Sequence, residues 1–379
     1  MSQSRVVVAM SGGVDSSVAA AILKESGYQV IGVTMQLWPD DRPPGERPGG
    51  CCGFDAIERA RRAAARLGIP HYVMDFRDAF EETVVADFCR EYRRGRTPNP
   101  CIRCNQYLKF DRLLRKAREL DADFLATGHY ARIEESSGGY RLLKAADQSK
   151  DQGYFLYTLG QAELRHLKFP LGGWLKTAVR ARAAQMGLAT ATAPESQDIC
   201  FIEDGNYRTF IEKRDSPVLG DIVDTDGNLL GKHRGLAGYT IGQRQGLGLG
   251  TGTRLYVIRL DYEANRLVVG PAKQLMSRYL RVSHFSWVSG TPPPGPAQVM
   301  ARIRYRAAEA EAEMRWDSRH ALVIFKEPQK AITPGQAVVF YRGEEVLGGG
   351  TIESAGAEDS DTGDNNRTGE GKSKYPAVL

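Results

Sequence analysis

The feature that most constrains the fold is a short apolar strand followed at once by a loop of serines and glycines. Arg5 to Ala9 is predicted to form a buried parallel strand, and the segment MSGGVDSS follows it at residues 10–17. Apolar residues then recur at helical spacing, which predicts a helix from the Ser16-Ser17 pair to about Gly27. The loop therefore lies at the N-terminus of a helix that follows a parallel strand, as in an α/β domain.

This loop has the composition of a phosphate-binding site. Unpaired N–H groups and the positive end of the helix dipole attract an anion, and adjacent glycines let the backbone approach it closely. Asp15 would repel phosphate by itself, so we interpret it as a ligand of Mg²⁺ that is bound together with ATP. The segment lacks the Gly-Lys-Ser/Thr of the Walker loop and the spacing of the dinucleotide fingerprint. A turn that only caps a helix is the structural alternative.

Length and composition exclude several classes of protein. The 379 residues, 42% of them hydrophobic, are enough for two or three domains with their own cores. No stretch approaches about 18 apolar residues, and no basic and then apolar leader precedes the first strand, so we expect a soluble, cytoplasmic protein without membrane contact. The formal charge of +5 is compatible with nucleic acid but equally with an ordinary surface. Residues 354–379 are polar and acidic and are predicted to be a disordered tail.

Alternating strand and helix patterns extend through residues 1–205 and predict a doubly wound parallel sheet. The strand candidates are Arg5 to Ala9, Gln29 to Thr34, Tyr72 to Asp75 and Phe124 to Thr127, and the helix candidates include Phe54 to Leu67 and Ala79 to Arg93. The stretch from Trp38 to Gly53, rich in proline and glycine, is expected to be a covering loop. Residues 161–190 are predicted to form a basic helical segment that could contact phosphates, with exposed side chains at Lys176, Arg180 and Arg182.

The rest of the chain is predicted to form two small β modules, at residues 206–280 and 281–353, the second of them barrel-like. Their strand candidates are Asp221 to Asp224, Leu255 to Leu260 and Arg266 to Val269, then Val299 to Tyr305, Ala321 to Phe325, Ala337 to Tyr341 and Val346 to Ile352. Arg302, Arg304 and Arg306 alternate with apolar residues, which would place three guanidinium groups on one strand face. Such a face could bind a phosphate backbone or simply contact solvent.

The six cysteines have no regular spacing, which fits reduced thiols better than a disulfide scaffold. Cys101 and Cys104 lie in the segment RTPNPCIRCN at residues 96–105, where two prolines predict a rigid extended loop. Arg96 and Arg103 would stabilise a thiolate there. Taken alone, the Cys-x-x-Cys spacing is more typical of a metal site or a redox pair than of a nucleophile. Cys200 lies far along the chain, so only the fold could bring it close.

Together these segments resemble the MnmA family of tRNA-specific 2-thiouridylases, which are PP-loop ATP pyrophosphatases. The matching segments, which extend from residue 5 to about 353, are AMSGGVDSS (9–17), GRTPNP (95–100), ATGHY (126–130), KDQ (150–152), SQDICFI (196–202), GQR (242–244) and TPGQ (333–336). The resemblance implies an enzyme that uses ATP to adenylate the C2 oxygen of the wobble uridine of tRNA. Sulfur from a cysteine persulfide would then replace that oxygen, giving 2-thiouridine, AMP and pyrophosphate.

The resemblance also implies roles for individual residues. Cys104 matches the nucleophile and Cys200 the cysteine that carries the persulfide, and a disulfide between the two would form in each cycle and have to be reduced. The ATP pocket would comprise Ala9, Met10, Ser11, Gly12, Gly13, Val14, Asp15, Ser16, Met35 and Gly128, with Mg²⁺ on Asp15. Contacts to tRNA would be made by Asn99, Pro100, Cys101, His129, Lys150, Asp151, Gln152, Arg304, Tyr305 and Gln336. The other partner would be a sulfur donor such as a cysteine desulfurase or a sulfur relay protein, and the chain is expected to be a monomer.

One position departs from the family pattern. Many members have an acidic residue three positions before the nucleophile, proposed for acid–base work, and this chain has Cys101 there. The thiol leaves open a second mechanism, in which Cys101, Cys104 and Cys200 hold a [4Fe-4S] cluster whose fourth iron binds sulfide. Two other functions also stay open. One is a PP-loop ligase that amidates a nucleotide and would not need Cys104 and Cys200, and the other is an RNA-binding iron–sulfur protein without turnover.

Overall fold

The structure is a computed structural model that describes residues 3–38, 54–192, 199–202, 206–250, 252–317 and 320–356. The N-terminal part of the described chain is built on the strands β1 Arg5–Ala9, β2 Gln29–Gln36, β3 His71–Asp75, β4 Phe124–Ala126 and β7 Leu167–Lys168. They form one sheet in the order β3-β2-β1-β4-β7, and every pairing is parallel. The predicted parallel α/β fold is confirmed.

Helices cover both faces of this sheet. Their bounds are α1 Val14–Glu25, α2 Phe54–Leu67, α3 Arg77–Phe80, α4 Ala86–Arg93, α5 Pro100–Arg103, α6 Leu114–Glu119, α7 Gln161–Leu164, α8 Lys176–Gln185 and, after the domain, α9 Tyr207–Glu212. The π-helical segments Glu81–Val85 and Cys104–Leu113 join α3 to α4 and α5 to α6. Short 3₁₀ turns occupy Gly153–Phe155, Ala189–Thr192, Leu236–Gly238 and Ala272–Leu275.

Strand β1 divides two cores, because alternate side chains of a strand point to opposite faces of the sheet. Val6 and Val8 are buried with residues of α1, α2 and α8. Val7 is buried on the other face, with the two long helical segments at 77–93 and 100–119. The sheet is therefore doubly wound, and the loop after β1 lies where the strand ends between the two helical layers.

The central β region contains β8 Gly220–Val223, β9 Leu229–His233, β10 Tyr256–Asp261 and β11 Arg266–Gly270, in the order β10-β11-β8-β9. Its small core includes Ile222, Val257, Leu267 and Val269, each with no exposed surface. The apolar residues of β8, β10 and β11 allowed the sequence analysis to predict these three strands. It did not predict β9, which has too few apolar residues.

The C-terminal strands form a closed six-stranded antiparallel barrel. They are β12 Met276–Trp287, β13 Ala297–Arg302, β14 Ala310–Trp316, β15 Ala321–Lys330, β16 Ala337–Arg342 and β17 Glu345–Gly356, in the order β12-β15-β14-β13-β16-β17, with β12 also paired to β17. The predicted barrel is confirmed. A hairpin from the N-terminal part, β5 Ala131–Ser136 and β6 Gly139–Lys144, extends this sheet by pairing Leu142 with Val346.

Several local predictions were wrong. Helix α1 begins at Val14, not at Ser16, because Gly13 already has the extended conformation of an N-cap residue. The cysteine segment is helical from Pro100 onward, since proline is well suited to the first position of a helix and Asn99 caps it. Strand β13 ends at Arg302, so Arg304 and Arg306 do not share its face.

The ends of two other predicted segments also changed. Strand β17 continues to Gly356, where it pairs with Tyr279, so residues 354–356 belong to the barrel and not to a disordered tail. The remainder of that tail, 357–379, and most of the predicted loop, 39–53, lie outside the described residues. In the part of the chain that is described, no helix is both long and apolar enough to cross a membrane.

Candidate active site

The loop after β1 is tightly folded by its own hydroxyl groups and glycines. The backbone N–H of Ser11 donates to Ser16 Oγ at 3.1 Å, and the hydroxyls of Ser16 and Ser17 donate to the carbonyl of Gly13 at 3.1 and 3.0 Å. Gly12 has a φ of +70°, and a Cβ on it would lie 2.1 Å from the carbonyl oxygen of Ala56 on α2. The loop therefore needs glycine at 12, both for its backbone conformation and for the close approach of α2.

Gly128, at the end of β4, comes directly against this loop. A Cβ added to Gly128 would lie 2.7 Å from the backbone nitrogen of Ser16 and 2.8 Å from the carbonyl carbon of Asp15. Of the other residues predicted to bind ATP, Met10, Val14 and Met35 are all buried. Their side chains pack in the core, so Met10 and Val14 can offer a nucleotide only their backbone.

Asp15 is the charged centre of the loop. Lys176 Nζ, from the start of α8, lies 2.7 Å from both carboxylate oxygens, and the hydroxyl of Tyr130 donates to Oδ1 at 2.8 Å. The Lys176 side chain is 9% exposed, whereas Asp15 remains 32% exposed and open to the loop. The prediction that Lys176 is an exposed residue was therefore wrong, because its charge is matched inside the domain.

Cys101 and Cys104 lie three residues apart, about one helical turn, at the start of a helical segment that Asn99 caps. The Asn99 Oδ1 accepts from the N–H of Cys101 at 3.1 Å and of Ile102 at 3.4 Å. Cys101 is exposed, and Cys104 is half-buried against the core that also contains Ile102. Asn105, next to Cys104, is buried and donates to the Phe155 carbonyl at 3.1 Å. The nucleophile candidate is thus fixed on a capped helix and not on a loop.

The two arginines near these cysteines are neutralised by carboxylates. Arg103 Nε lies 3.4 Å from Asp87, and Arg96 forms ion pairs of 2.8 and 2.7 Å with Glu91 and Glu353. Their positive charge is therefore shared with acidic partners.

Cys200 lies in the short described segment 199–202, which a cluster of aromatic rings holds in place. Phe201 is 3% exposed and its ring centroid lies 5.1 Å from Phe88 and from Phe210, and 5.7 Å from Phe80. Cys200 itself is half-buried and, like Cys104 and Ala9, packs against the core below the long helical segments. The fold thus brings the strand that carries the loop and both predicted reactive cysteines to one core. Residues 196–198 of the same motif lie outside the described residues.

The residues predicted to bind tRNA from the barrel lie close to this region. The Tyr305 ring lies 4.4 Å from that of Phe155, whose carbonyl is held by Asn105. Arg304 donates to Thr333 Oγ1 at 2.5 Å and to the Ala331 carbonyl, and burial lowers the pKa of its guanidinium. Gln336 donates to the Thr97 carbonyl at 2.8 Å. Of these side chains, Gln336 joins the barrel to the segment that leads to Cys104, whereas Arg304 bonds to other residues of the barrel region.

His129 follows β4 and packs against Phe110 and Phe169, and the KDQ segment precedes Phe155 in the chain. His129 Nδ1 lies 2.7 Å from Thr127 Oγ1, and burial, with a smaller contribution from Lys109, holds the pKa of its imidazole well below 6.5. Asp151 is 4% exposed, its Oδ1 accepts from the N–H of Ala145 at 2.9 Å, and burial raises its pKa. Its carboxylate therefore accepts hydrogen bonds from the backbone inside the protein and does not face solvent. Gln152 accepts from the N–H of Tyr130 at 2.9 Å, and Lys150 is half-buried.

The donor groups of the site fit Mg²⁺ better than an iron–sulfur cluster. A partly exposed carboxylate beside a phosphate-binding loop is what Mg²⁺ shared with nucleotide phosphates requires, and Asp15 supplies it. In the described ranges, which include all three predicted cysteine ligands, no group of three or more His, Cys, Asp or Glu residues could hold a metal ion. We therefore derive no step through a cluster.

Sequence reasoning missed two residues of the site. Lys176 was assigned to a solvent-facing basic segment, and nothing in its local pattern distinguishes it from Arg180 on the same helix. Tyr130 was noted only as part of the segment ATGHY, although its position directly after His129 at a strand end could have suggested a role. Both residues reach Asp15 only through the packing of α8 and β4 against α1.

A doubly wound parallel sheet with a glycine-rich loop at the end of its first strand defines an ATP-binding α/β domain of the PP-loop class. Three family models match in series: the tRNA methyl transferase HUP domain over residues 4–204, the tRNA methyl transferase PRC-barrel domain over 208–271 and the aminomethyltransferase beta-barrel domain over 277–352.

Relatives match over almost the whole chain. A tRNA-specific 2-thiouridylase MnmA of Heliobacterium modesticaldum is 52% identical over 92% of this chain and 92% of its own. Those of Moorella thermoacetica and Magnetococcus marinus are 51% and 50% identical over 92% of this chain and 99% and 98% of theirs. The chain belongs to the MnmA family of tRNA-specific 2-thiouridylases.

Proposed function

We propose that this protein is a tRNA-uridine 2-sulfurtransferase that thiolates the wobble uridine of tRNA at the expense of ATP. Family membership supports ATP-dependent thiolation of a tRNA uridine. The observation that carries the finer proposal is that the strand before the phosphate loop, Cys104 and Cys200 all contact one core. An adenylated base and a sulfur-carrying thiol must meet at one carbon atom, so such convergence is required.

Activation of the base comes first, because the C2 oxygen of uracil is a poor leaving group. That oxygen attacks the α-phosphorus of ATP, the bond from the α-phosphorus to the bridging oxygen breaks, and its electron pair leaves with pyrophosphate. The loop N–H groups around Gly12 and Gly13 and the hydroxyl of Ser11 would bind the phosphates. Asp15 would hold Mg²⁺, which, when bound, offsets the negative charge of the phosphates.

Sulfur transfer then uses the two cysteines. Either the terminal sulfur of a persulfide on Cys200 attacks C2 directly, or the Cys104 thiolate attacks that persulfide and releases a sulfide that does. In the first route the Cys104 thiolate then attacks the Cys200 sulfur, which breaks the S–S bond and leaves its electron pair on the sulfur attached to C2. In both routes a C–S bond forms at C2, the C–O bond breaks as AMP leaves, and Cys104 and Cys200 end as a disulfide that an external reductant must reopen. Both side chains are thiols in the structure and both are half-buried, which fits groups that wait for a substrate.

The tRNA would approach between the helical turn at Asn99 to Cys101 and the barrel residues Arg304, Tyr305 and Gln336. The uridine has to leave its stack, which costs a few kcal/mol and is easier in an anticodon loop than in a duplex. The neighbouring rings of Tyr305 and Phe155 offer an apolar surface to an extruded base. His129, Lys150 and Gln152 would contact the tRNA further along the surface, and for Asp151 the buried carboxylate leaves only its backbone.

The remaining assignments stay predictions. We propose domains at 1–205, 206–280 and 281–353, a tRNA-binding role for residues 161–190, a sulfur donor such as a cysteine desulfurase or a relay protein, a monomeric state and a cytoplasmic location.

The experiment is mass spectrometry of wobble nucleosides from tRNA treated with the protein, Mg²⁺-ATP and a persulfide or sulfide source. Cys104→Ser and Cys200→Ser should each abolish 2-thiouridine, while Cys89→Ser, at a buried helical position, should retain it. Release of pyrophosphate from ATP that is unchanged in Cys200→Ser, with no 2-thiouridine formed by the wild-type protein, would instead favour an amidating PP-loop ligase. Iron and sulfide analysis of anaerobically purified protein tests the cluster mechanism separately, since a fully active, iron-free protein rules it out.

A further inference from the structure

Lys176 occupies the carboxylate that the proposed mechanism assigns to Mg²⁺. Its Nζ lies 2.7 Å from both oxygens of Asp15, and the hydroxyl of Tyr130 takes up Oδ1 as well. Mg²⁺ demands an oxygen of Asp15 at short range, so Lys176 and the metal compete for the same atoms.

We propose that Lys176 is a phosphate-binding residue that rests on Asp15 in the nucleotide-free protein and transfers to the ATP phosphates when Mg²⁺ takes its place. The identity of the ligand rests on the proposed function. In this exchange Asp15 always has a cation beside it, and Lys176 always has an anion.

Burial explains why the lysine must move to a phosphate. Its side chain is 9% exposed, and breaking its ion pair with Asp15 at such a position is strongly destabilising unless another anion replaces the carboxylate. The only large negative charge that arrives together with Mg²⁺ is the triphosphate itself. Charge-assisted hydrogen bonds from the ammonium to phosphate oxygens replace those to Asp15.

The position of Lys176 on α8 limits how far it can move. It is the first residue of the helix, and its backbone N–H donates to Asp147 Oδ2 at 3.0 Å, a bond that lowers the pKa of Asp147. The ammonium also lies 5.6 Å from the centre of the Tyr130 ring. With its backbone fixed there, the side chain would reach phosphates bound at the loop by a rotation of its own bonds and without movement of α8.

Such a lysine would act on the chemical step as well as on binding. When the bond between the α-phosphorus and the bridging oxygen breaks, the pyrophosphate gains negative charge. A preorganised ammonium group beside it stabilises that charge more than it stabilises intact ATP.

The test compares Lys176→Met and Lys176→Gln with Glu25→Gln. Glu25 is the last residue of α1 and forms a 2.5 Å ion pair with Arg182 of α8, so its variant also loses an ion pair between α8 and α1, but at the end of α1 away from the loop. Calorimetry should give a Kd for Mg²⁺-ATP raised at least about tenfold in Lys176→Met and Lys176→Gln, about 1.4 kcal/mol, and unchanged in Glu25→Gln. Lys176→Arg should recover most of the affinity.

A second measurement distinguishes this role from a purely structural one. Binding of Mn²⁺ without nucleotide, followed by water-proton relaxation, should become tighter in Lys176→Met, because Asp15 has lost its competing cation. Lys176→Gln keeps a hydrogen-bond donor to Asp15 and serves if the methionine variant does not fold.

An ATP affinity equal to that of the wild type in a folded Lys176 variant, or Mn²⁺ binding that weakens together with ATP binding, would overturn the proposal. Failure of the wild-type protein to release pyrophosphate with tRNA and ATP would instead contradict the proposed function.

Discussion

Gly128 lies where β4 ends against the first turn of α1, and the space beside it is already filled by backbone. The loop at residues 11–17 has its shape because this contact, the positive φ of Gly12 and three internal hydroxyl hydrogen bonds all act on a few residues. At the scale of single residues, then, the phosphate site is defined as much by missing side chains as by polar ones.

Gly128→Ala should weaken nucleotide binding. Its Cβ would lie 2.7 Å from the nitrogen of Ser16, and backbone atoms cannot turn aside as a side chain can, so the loop must shift. We expect the Kd for Mg²⁺-ATP to rise about tenfold or more, at a stability cost of about 1–3 kcal/mol. Gly138→Ala, where nothing lies within 4 Å of the added carbon, is the matched control. Equal affinities in the two variants would contradict the prediction.

Among the elements, the two long helical segments 77–93 and 100–119 do most to place the thiols. One carries Cys104 on its first turns, and the other presents Phe80 and Phe88 to Phe201 beside Cys200. Each segment contains a π-helical part between two α-helical parts. Such π-helical parts are often found at functional sites.

Phe201→Leu should slow sulfur transfer without affecting ATP binding. The ring of Phe201 contacts four other aromatic rings, and the smaller side chain loosens the segment that positions Cys200. We expect 2-thiouridine formation to fall several-fold, while the free energy of unfolding falls by no more than about 2 kcal/mol. Phe325→Leu makes a similar change in the barrel core, where Phe325 is equally buried, and should keep its rate. A parallel loss of rate in both variants would indicate general destabilisation instead.

At the scale of the whole molecule, the barrel is tied to the segment that leads into Cys104. Arg96 bridges Glu91 and Glu353, the N–H of Thr97 donates to the Pro334 carbonyl at 2.8 Å, and Gln336 returns a hydrogen bond to Thr97. A small cavity beside these contacts is lined by Asp87, Asn99 and Gly335. A displacement of the barrel, such as the proposed binding of tRNA would cause, would therefore reach the segment that carries Cys104.

Arg96→Ala should reduce kcat for thiolation and leave the Kd for ATP unchanged. It removes hydrogen-bonded ion pairs between the helix before Cys104 and the end of β17, at an expected cost of about 2 kcal/mol in unfolding free energy. Arg141→Ala is the control, because Arg141 joins the β5–β6 hairpin to Glu345 of β17 at an exposed position that does not touch the cysteine segment. Thiolation kinetics with saturating ATP measure kcat for both variants. Equal kcat values would show that the ion pairs of Arg96 do not affect thiolation.

The sequence by itself determined the features that depend on local pattern. The strand Arg5–Ala9, the helix Phe54–Leu67, the phosphate loop and the succession of an α/β region and two β regions all follow from periodicity and turn residues within a few positions of one another. The start of α1 and the helical state of the cysteine segment were misjudged, because helix capping by Gly13 and by Asn99 depends on backbone geometry that composition does not fix.

Only the tertiary structure decided which distant groups meet. The ion pair of Lys176 with Asp15, the common core beneath Cys104 and Cys200 and the pairing of the β5–β6 hairpin with the barrel join residues that are far apart in the chain. No local pattern records such contacts, since they result from how whole layers pack to bury apolar surface, and the functional site is assembled from them.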